Sequence, residues 1–252
     1  MSADRTADTV EMLAPAKLTT ALRVTGVRDD GYHLIDAEMV SLSLADTLRI
    51  DGSGDGLTIE TAETGLTVVA DDDNLVSRAL RAVGRQAAVH LTKRIPAGAG
   101  LGGGSSDAAA VFAWAGVTDL ELAASIGADV AFCVRGGRAR VAGIGEIVEP
   151  LPFVERTFTL LTPPFGVSTP AVYRVWDDLG GPTSDSGNDL EPAAVAHEPE
   201  LLRWRDALGD ATGVIPVLAG SGGTWFVDGA HPDVVVDGIR GVVAHTVPGR
   251  DI

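Results

Sequence analysis

From Met12 to Arg49 the pattern of apolar and polar positions is mostly extended. Thr20-Ala21-Leu22-Arg23-Val24-Thr25 alternates at period two, as a half-buried strand does. Asp29-Asp30-Gly31 reads as a turn, followed by extended runs over Ala37 to Leu44 and Thr47 to Asp51. Gly52 to Gly56 reads as a loop and Leu57 to Thr61 as a short strand. The period then lengthens. Asn74 suits a helix N-cap, and Leu75, Ala79, Leu80 and Val83 share one face of a helix predicted to run to Gln86. Val89 to Lys93 is a strand candidate, Ser105 to Ala115 a helix and Asp119 to Ile126 a short helix. Arg138 to Val148 reads as a hairpin turning tightly at Gly143 to Gly145. Residues 1–10 are polar and expected to fray.

Beyond Pro150–Pro152 the order changes. A strand over Thr157 to Leu161 leads to a helix over Thr169 to Leu179, which Pro170 starts well. Helices follow within Leu190 to Leu208, then strands at Val214 to Leu218, Thr224 to Val227 and Gly241 to Val247. Gly180 to Gly187, rich in Gly, Ser and Pro, reads as a mobile loop. Strands precede and follow helices rather than alternating with them, which predicts an α+β fold. The expected domains are residues 1–151 and 152–252.

Composition narrows the function classes. The chain has 252 residues, enough for one large or two modest domains. It is 45% apolar and 21% charged, as soluble globular proteins are. With 35 acidic against 19 basic residues and a net charge of -16, a broad nucleic-acid face is not expected. The longest apolar run falls far short of the ~18 residues of a membrane span, and no basic-then-apolar leader opens the sequence. A cytoplasmic protein without membrane or nucleic-acid partners is the expectation. Cys133 is the one cysteine and cannot form an internal disulfide, and no Cys/His cluster has zinc spacing. Lys17 and Lys93 are the only lysines, so each merits attention. Trp114, Trp176 and Trp204 are expected in the core, Asp71-Asp72-Asp73 in a solvated loop, and Cys133 as a small buried residue.

The chemistry-bearing segment is Pro96-Ala97-Gly98-Ala99-Gly100-Leu101-Gly102-Gly103-Gly104-Ser105-Ser106. Its glycines allow backbone angles that a side chain forbids and let the main chain approach a bulky anion. The segment runs into a predicted helix, whose start offers free N–H groups and about half a positive charge. Together these make a phosphate cradle. The bland alternative is a flexible turn before a helix. No Gly-Lys-Ser/Thr is present, so this is not a P-loop, and the run is too glycine-rich for a Rossmann fingerprint. Ser105 and Ser106 could cap the helix, bind a phosphate oxygen or ligate a metal.

Three separated blocks carry a family resemblance: Ala14-Pro15-Ala16-Lys17, the glycine loop, and Ala219-Gly220-Ser221-Gly222-Gly223-Thr224. In this order they resemble the GHMP kinase superfamily over about Leu13 to Val247. Four more stretches are similar to its branch acting on a cytidine-diphosphate-bearing methylerythritol. They are Arg23-Val24-Thr25-Gly26 leading into Asp30-Gly31-Tyr32-His33, Gly127-Ala128-Asp129-Val130, Pro163 to Thr169, and Asn188-Asp189-Leu190-Glu191-Pro192. The resemblance implies a two-domain GHMP kinase fold, with a ribosomal protein S5 domain 2-like N-terminal domain and a ferredoxin-like C-terminal domain. It also implies an ATP- and Mg2+-dependent kinase of a small cytidine diphosphate acceptor, working as a monomer or homodimer. Alternatives within the resemblance are a GHMP kinase of another small alcohol and a nucleotide-binding homologue without turnover.

By resemblance, Lys17 and Asp129 are the catalytic pair; Asp129 would orient the acceptor hydroxyl and receive its proton. Asp129 could instead be an ordinary helix-cap carboxylate. Pro96 to Ser106 would cradle the ATP phosphates, supported by Gly220, Ser221 and Gly222, with Ser106 as the magnesium ligand. Tyr32 and Tyr173 would take the two faces of the base and His33 its edge, although Tyr173 also fits a core position. Three positions depart from the family pattern: Thr19 and Asp107 stand where asparagine is usual, and Ala131 where proline is usual. Thr19, as the counterpart of an acceptor contact, is included in the acceptor site.

Overall fold

The computed structural model describes residues 9–61 and 69–250. Two long strands dominate its first half. β1 (Val10–Val27) and β2 (His33–Asp51) form one antiparallel hairpin, closed where Arg28 N–H donates to Tyr32 O at 2.8 Å. The extended runs predicted separately in this region are therefore just two strands. β3 (Gly56–Thr61) lies parallel to β4 (Ala88–Lys93), and β5 (Arg138–Gly143) pairs with β6 (Ile147–Pro150). With β1 on one edge of β2, the other edge is divided: Ile35 to Val40 pair with β5 and Thr47 to Asp51 with β4.

Four helices belong to this half: α1 (Leu75–Ala82), α2 (Gly103–Ala115), α3 (Leu120–Ile126) and α4 (Val130–Arg135). Asn74 caps α1 as expected, accepting Val76 N–H at 3.0 Å. That helix stops short of Gln86 because Gly84 turns left-handed at φ +64°. α2 starts two residues earlier than predicted; Gly103 and Gly104 are poor helix formers, but tertiary packing overrides propensity here. α4 was not predicted. All residues from Val130 to Val134 are buried, so it has no polar face and no amphipathic period to read.

The second sheet has the order β12-β7-β9-β8, built from β7 (Thr157–Leu161), β8 (Val217–Leu218), β9 (Trp225–Asp228) and β12 (Val242–His245). A small hairpin of β10 (Val235–Val236) and β11 (Ile239–Arg240) precedes β12. α5 (Thr169–Asp178), α6 (Glu191–His197) and α7 (Glu200–Thr212) complete this half. Apart from the parallel β3–β4 pair, which flanks α1, the strands pair antiparallel and the helices come in runs (α2 to α4, α5 to α7), as in an α+β fold. Trp176 and Trp204 are buried and Trp114 half-buried against the core, while Asp71, Asp72 and Asp73 are exposed.

The two halves share their cores. One cluster joins Ala16, Leu18, Val40 and Leu42 of the β1–β2 hairpin to Phe158, Leu160, Phe226 and Ala244 of the second sheet. After β12 the chain leaves its own sheet: Val247 N–H donates to Ser41 O at 2.9 Å. The segment predicted to be mobile is tied down beyond Ser184, since Leu22 N–H donates to Gly187 O at 2.8 Å. The fraying expected for residues 1–10 falls mostly outside the described residues, and Val10 already belongs to β1. No helix among the described residues is long and apolar enough to cross a membrane.

Candidate active site

A cavity of about 1180 Å³ lies between the two halves. The glycine loop forms its floor. Gly98, Gly100 and Gly102 take positive φ values of 69°, 76° and 65°, so the chain zigzags through left-handed positions before α2 begins. A Cβ on Gly100 would lie 2.5 Å from Ala219 O and 2.7 Å from Gly222 O. The loop at Ala219 to Thr224 thus packs backbone to backbone against the glycine loop, and Thr224 N–H donates to Ala99 O at 3.1 Å. Pro96 to Ser105, Gly220 and Ser221 all line the cavity. Gly222 does not; it buttresses Gly100 from behind.

Lys17 projects from β1 beneath this loop. Its backbone N–H donates to Leu101 O at 3.0 Å, and its Nζ sits 3.1 Å from Asp129 Oδ2. Nζ also donates to Thr19 Oγ1 at 3.2 Å. Asp129 occupies the N-cap position of α4, yet its side chain makes no capping bond there. The carboxylate turns instead to Lys17 in the cavity wall.

Ser106 behaves differently from expectation. Its Oγ donates to Pro15 O at 2.6 Å, it is buried, and it is absent from the cavity wall. Buried away from the cavity, this hydroxyl does not face a phosphate or ion bound there. Ser105 holds the cavity-facing place. Cys133 lies 3.4 Å behind Ser106, and burial pushes its thiol up to about 12.

Sequence reasoning passed over a buried charge cluster under the loop. Lys93 Nζ donates to Asp107 Oδ2 at 2.7 Å and to Asp46 Oδ2. Asp46 Oδ1 accepts the backbone N–H groups of Arg94 and Ile95. Asp107 Oδ1 is buried with no hydrogen-bond partner among the described residues. Burial raises the Asp107 carboxyl to about 7, against the opposing pull of Lys93. Burial alone would lower the Lys93 ammonium, but the two carboxylates outweigh it and push it up. A Cβ on Gly103 would lie 3.0 Å from Lys93 Nζ, so the cluster directly underlies the start of α2. The scarcity of lysine pointed at Lys93; nothing local pointed at Asp46.

The far end of the cavity carries the aromatic residues. Tyr32 sits on the β1–β2 turn, 59% exposed. The rings of His33 and Tyr173 pack with centroids 4.6 Å apart at 32°, and Trp176 meets His33 edge-on at 5.4 Å. His33 Nε2 is 2.8 Å from Asp177 Oδ1, a partner that sequence reasoning did not identify. Asp177 lies one turn beyond Tyr173 on α5, an i to i+4 relation that brings both onto one helix face. Burial, and secondarily the charge of Asp129, push the Tyr173 phenol well above its usual range.

The geometry thus joins a glycine loop ahead of a helix start, an ammonium–carboxylate pair and an aromatic wall in one cavity. Residues 74–137 match the model of the GHMP kinases N terminal domain. The chain is 38% identical over 245 residues to 4-diphosphocytidyl-2-C-methyl-D-erythritol kinase of Ruegeria pomeroyi, covering 86% of this chain and 88% of the relative. With the enzyme of the same name from Granulibacter bethesdensis it shares 39% identity over 263 residues, covering 89% and 86%. The chain belongs to the 4-diphosphocytidyl-2-C-methyl-D-erythritol kinase family.

A crystal structure of 4-(cytidine 5'-diphospho)-2C-methyl-D-erythritol kinase superposes with a TM-score of 0.73 at 30% identity, covering 94% of this chain and 99% of that one. Mevalonate pyrophosphate decarboxylase from Streptococcus pyogenes superposes at 0.63 with 12% identity, covering 98% of this chain and 99% of that one, which shows the shared fold. The fold is that of the GHMP kinases. Family membership makes the chain a phosphotransferase and implies ATP as donor.

Proposed function

We propose that this protein transfers the γ-phosphoryl group of ATP to the 2-hydroxyl of 4-diphosphocytidyl-2-C-methyl-D-erythritol, in non-mevalonate isoprenoid precursor synthesis. The observation carrying this reading is the 3.1 Å Lys17–Asp129 contact in the wall of the cavity that the glycine loop floors.

Phosphoryl transfer asks a protein mainly for positioning and charge stabilisation. Backbone N–H groups of Ala97 to Ser105, at the start of α2, receive the phosphates, with Pro96 leading the chain into the cradle. Lys17 holds Asp129 in place and faces the phosphoryl group in transit. Asp129 Oδ orients the acceptor hydroxyl and takes its proton as the new O–P bond forms. The bond from the γ-phosphorus to the bridging oxygen breaks, and ADP leaves. The acceptor alcohol is tertiary and crowded, so its orientation matters more than the strength of the base.

Tyr32 is assigned one face of the cytosine, Tyr173 the other and His33 the edge. The Asp177 contact occupies His33 Nε2 and leaves Nδ1 for the base. Thr19, beside Lys17, completes the acceptor side. Magnesium fits the donor set: Ser105 offers a hydroxyl at the cavity wall, and Mg2+ with ATP typically takes most of its ligands from phosphates and water. Bound there, the ion would neutralise charge on the phosphate oxygens. No group of three or more His, Cys, Asp or Glu among the described residues forms a metal cage. The reading divides the chain at 151/152, supported by the gap between β6, ending at Pro150, and β7, starting at Thr157. It carries a cytoplasmic location, where ATP is held.

The test is ADP release with ATP, magnesium and a panel of acceptors. Release with the cytidylyl acceptor alone is the expected result. Release with mevalonate or homoserine instead would overturn the acceptor assignment, and release with none would overturn catalysis.

A further inference from the structure

Asn188 and Asp189 sit outside the cavity wall, yet both are buried polar residues with almost every hydrogen-bonding group engaged. The Asn188 amide donates to Leu218 O at 2.8 Å and to Gly220 O at 2.7 Å, and its Oδ1 accepts Leu190 N–H at 3.0 Å. Asp189 faces the other way. Its Oδ1 accepts Arg23 Nη1–H at 2.7 Å and Ser184 N–H at 3.0 Å, and its Oδ2 accepts Val24 N–H at 3.1 Å. Its own N–H donates to Leu22 O at 3.0 Å.

We propose that Asn188 and Asp189 are positioning residues that clamp the loop at Gly220 and the strand carrying Lys17 to each other, fixing where the Lys17 ammonium meets Asp129. The inference rests on the reading of Lys17 and Asp129 given above.

Two observations select positioning over simple loop closure. The first is where the Asn188 bonds end. A Cβ on Gly220 would lie 3.5 Å from Lys17 Nζ and 3.6 Å from Thr19 Oγ1, so the backbone that Asn188 holds abuts the Lys17 head group. The second is the register of β1. Its ladder to β2 slips between Pro15 and Lys17, between Thr19 and Ala21, and between Val24 and Gly26. Lys17 and the segment Ala21 to Val24 are thus each set off by irregularities, so bonds from outside the ladder add to what orients them. The grip of Asp189 on Leu22, Arg23 and Val24 supplies such bonds, beside the one that the Lys17 N–H makes to Leu101 O. A small misplacement of a reacting group, even one caused from a distance, can cost ~100-fold in rate.

Asn188→Ala removes both donors to the Gly220 loop. Its kcat is expected to fall by about 100-fold while the ADP dissociation constant holds within about threefold. Asn188→Asp keeps the shape but turns an acceptor toward two carbonyls, so its kcat should fall at least as far. Arg23→Gln loosens Asp189 from a side chain that is half exposed, without threatening the core; its kcat should fall less, again at unchanged ADP affinity. Unchanged kcat per folded molecule in these variants, or equal losses of kcat and ADP affinity, would overturn the proposal. Amide hydrogen exchange tests it independently of any acceptor. In Asn188→Ala, exchange should rise both in 218–223 and in 17–24. A rise confined to 187–191 would also overturn it. If the wild type turns over no acceptor, the kinase reading fails, and the exchange pattern alone decides the clamp.

Discussion

The stem of Lys17 fills the space that a side chain on Gly102 would need: a Cβ there would lie 2.5 Å from Lys17 Cγ. The glycine loop and the Lys17 side chain beneath it are therefore fitted to each other. Gly102 also has φ +65°, a region that costs a side chain about 1–3 kcal/mol. Gly102→Ala should displace Lys17 and lower kcat by at least about tenfold. Gly116 has φ +70° with nothing near its Cβ position, so Gly116→Ala is the control. It should lower the melting temperature without lowering kcat, and equal kcat losses in both would remove the fitted contact as the cause.

Tyr32 is too exposed to matter much for folding. Tyr32→Ala should leave the melting temperature and kcat close to wild type and raise the acceptor KM by roughly tenfold, in line with the ~1–3 kcal/mol of a base-stacking contact. An unchanged acceptor KM would remove the stacking role.

Asp177 orients the His33 ring from half-exposed surroundings, at 2.8 Å. Asp177→Ala should raise the acceptor KM several-fold through His33 with the ATP KM unchanged. Steady-state kinetics with each substrate varied in turn makes the separation. A matching rise in the ATP KM would point to general damage to α5.

The Asp107 carboxyl, raised to about 7 chiefly by burial, titrates near neutrality. Its folded value lies above the unfolded 3.8, so the native state holds a proton that the unfolded state has released between those values. Its contribution to stability is thus fully present below about 3.8 and is lost as pH rises through about 7. Asp107→Asn, neutral at every pH, should raise the melting temperature relative to wild type at pH 8, with the gain shrinking at pH 5. A gain independent of pH would show that the carboxyl does not titrate in this range.

What the sequence revealed follows from the range of each signal. The glycine loop is local, and its need for left-handed angles shows in Gly98, Gly100 and Gly102 directly. Asn74 as a cap and Pro170 as a helix start are equally local. Hidden features depend on distant partners. Asp46 meets Lys93 across 47 positions, and His33 meets Asp177 across 144. Ser105 and Ser106 are adjacent and alike in chemistry; the helix direction alone decides which faces the cavity and which faces Pro15. α4 escaped because a helix of six residues buried from Val130 to Val134 leaves no period to detect. The same helix explains why Asp129 reads as a cap while serving Lys17.

The most direct measurement is made on Asp129→Asn, by comparing single-turnover phosphoryl transfer with ADP affinity. An amide keeps the shape of the side chain but cannot take the hydroxyl proton. The rate should fall by about 100-fold or more, with the ADP dissociation constant changed little. Transfer at the wild-type rate, or a loss fully matched by weaker ADP binding, would contradict the assignment of Lys17 and Asp129 as the reacting pair.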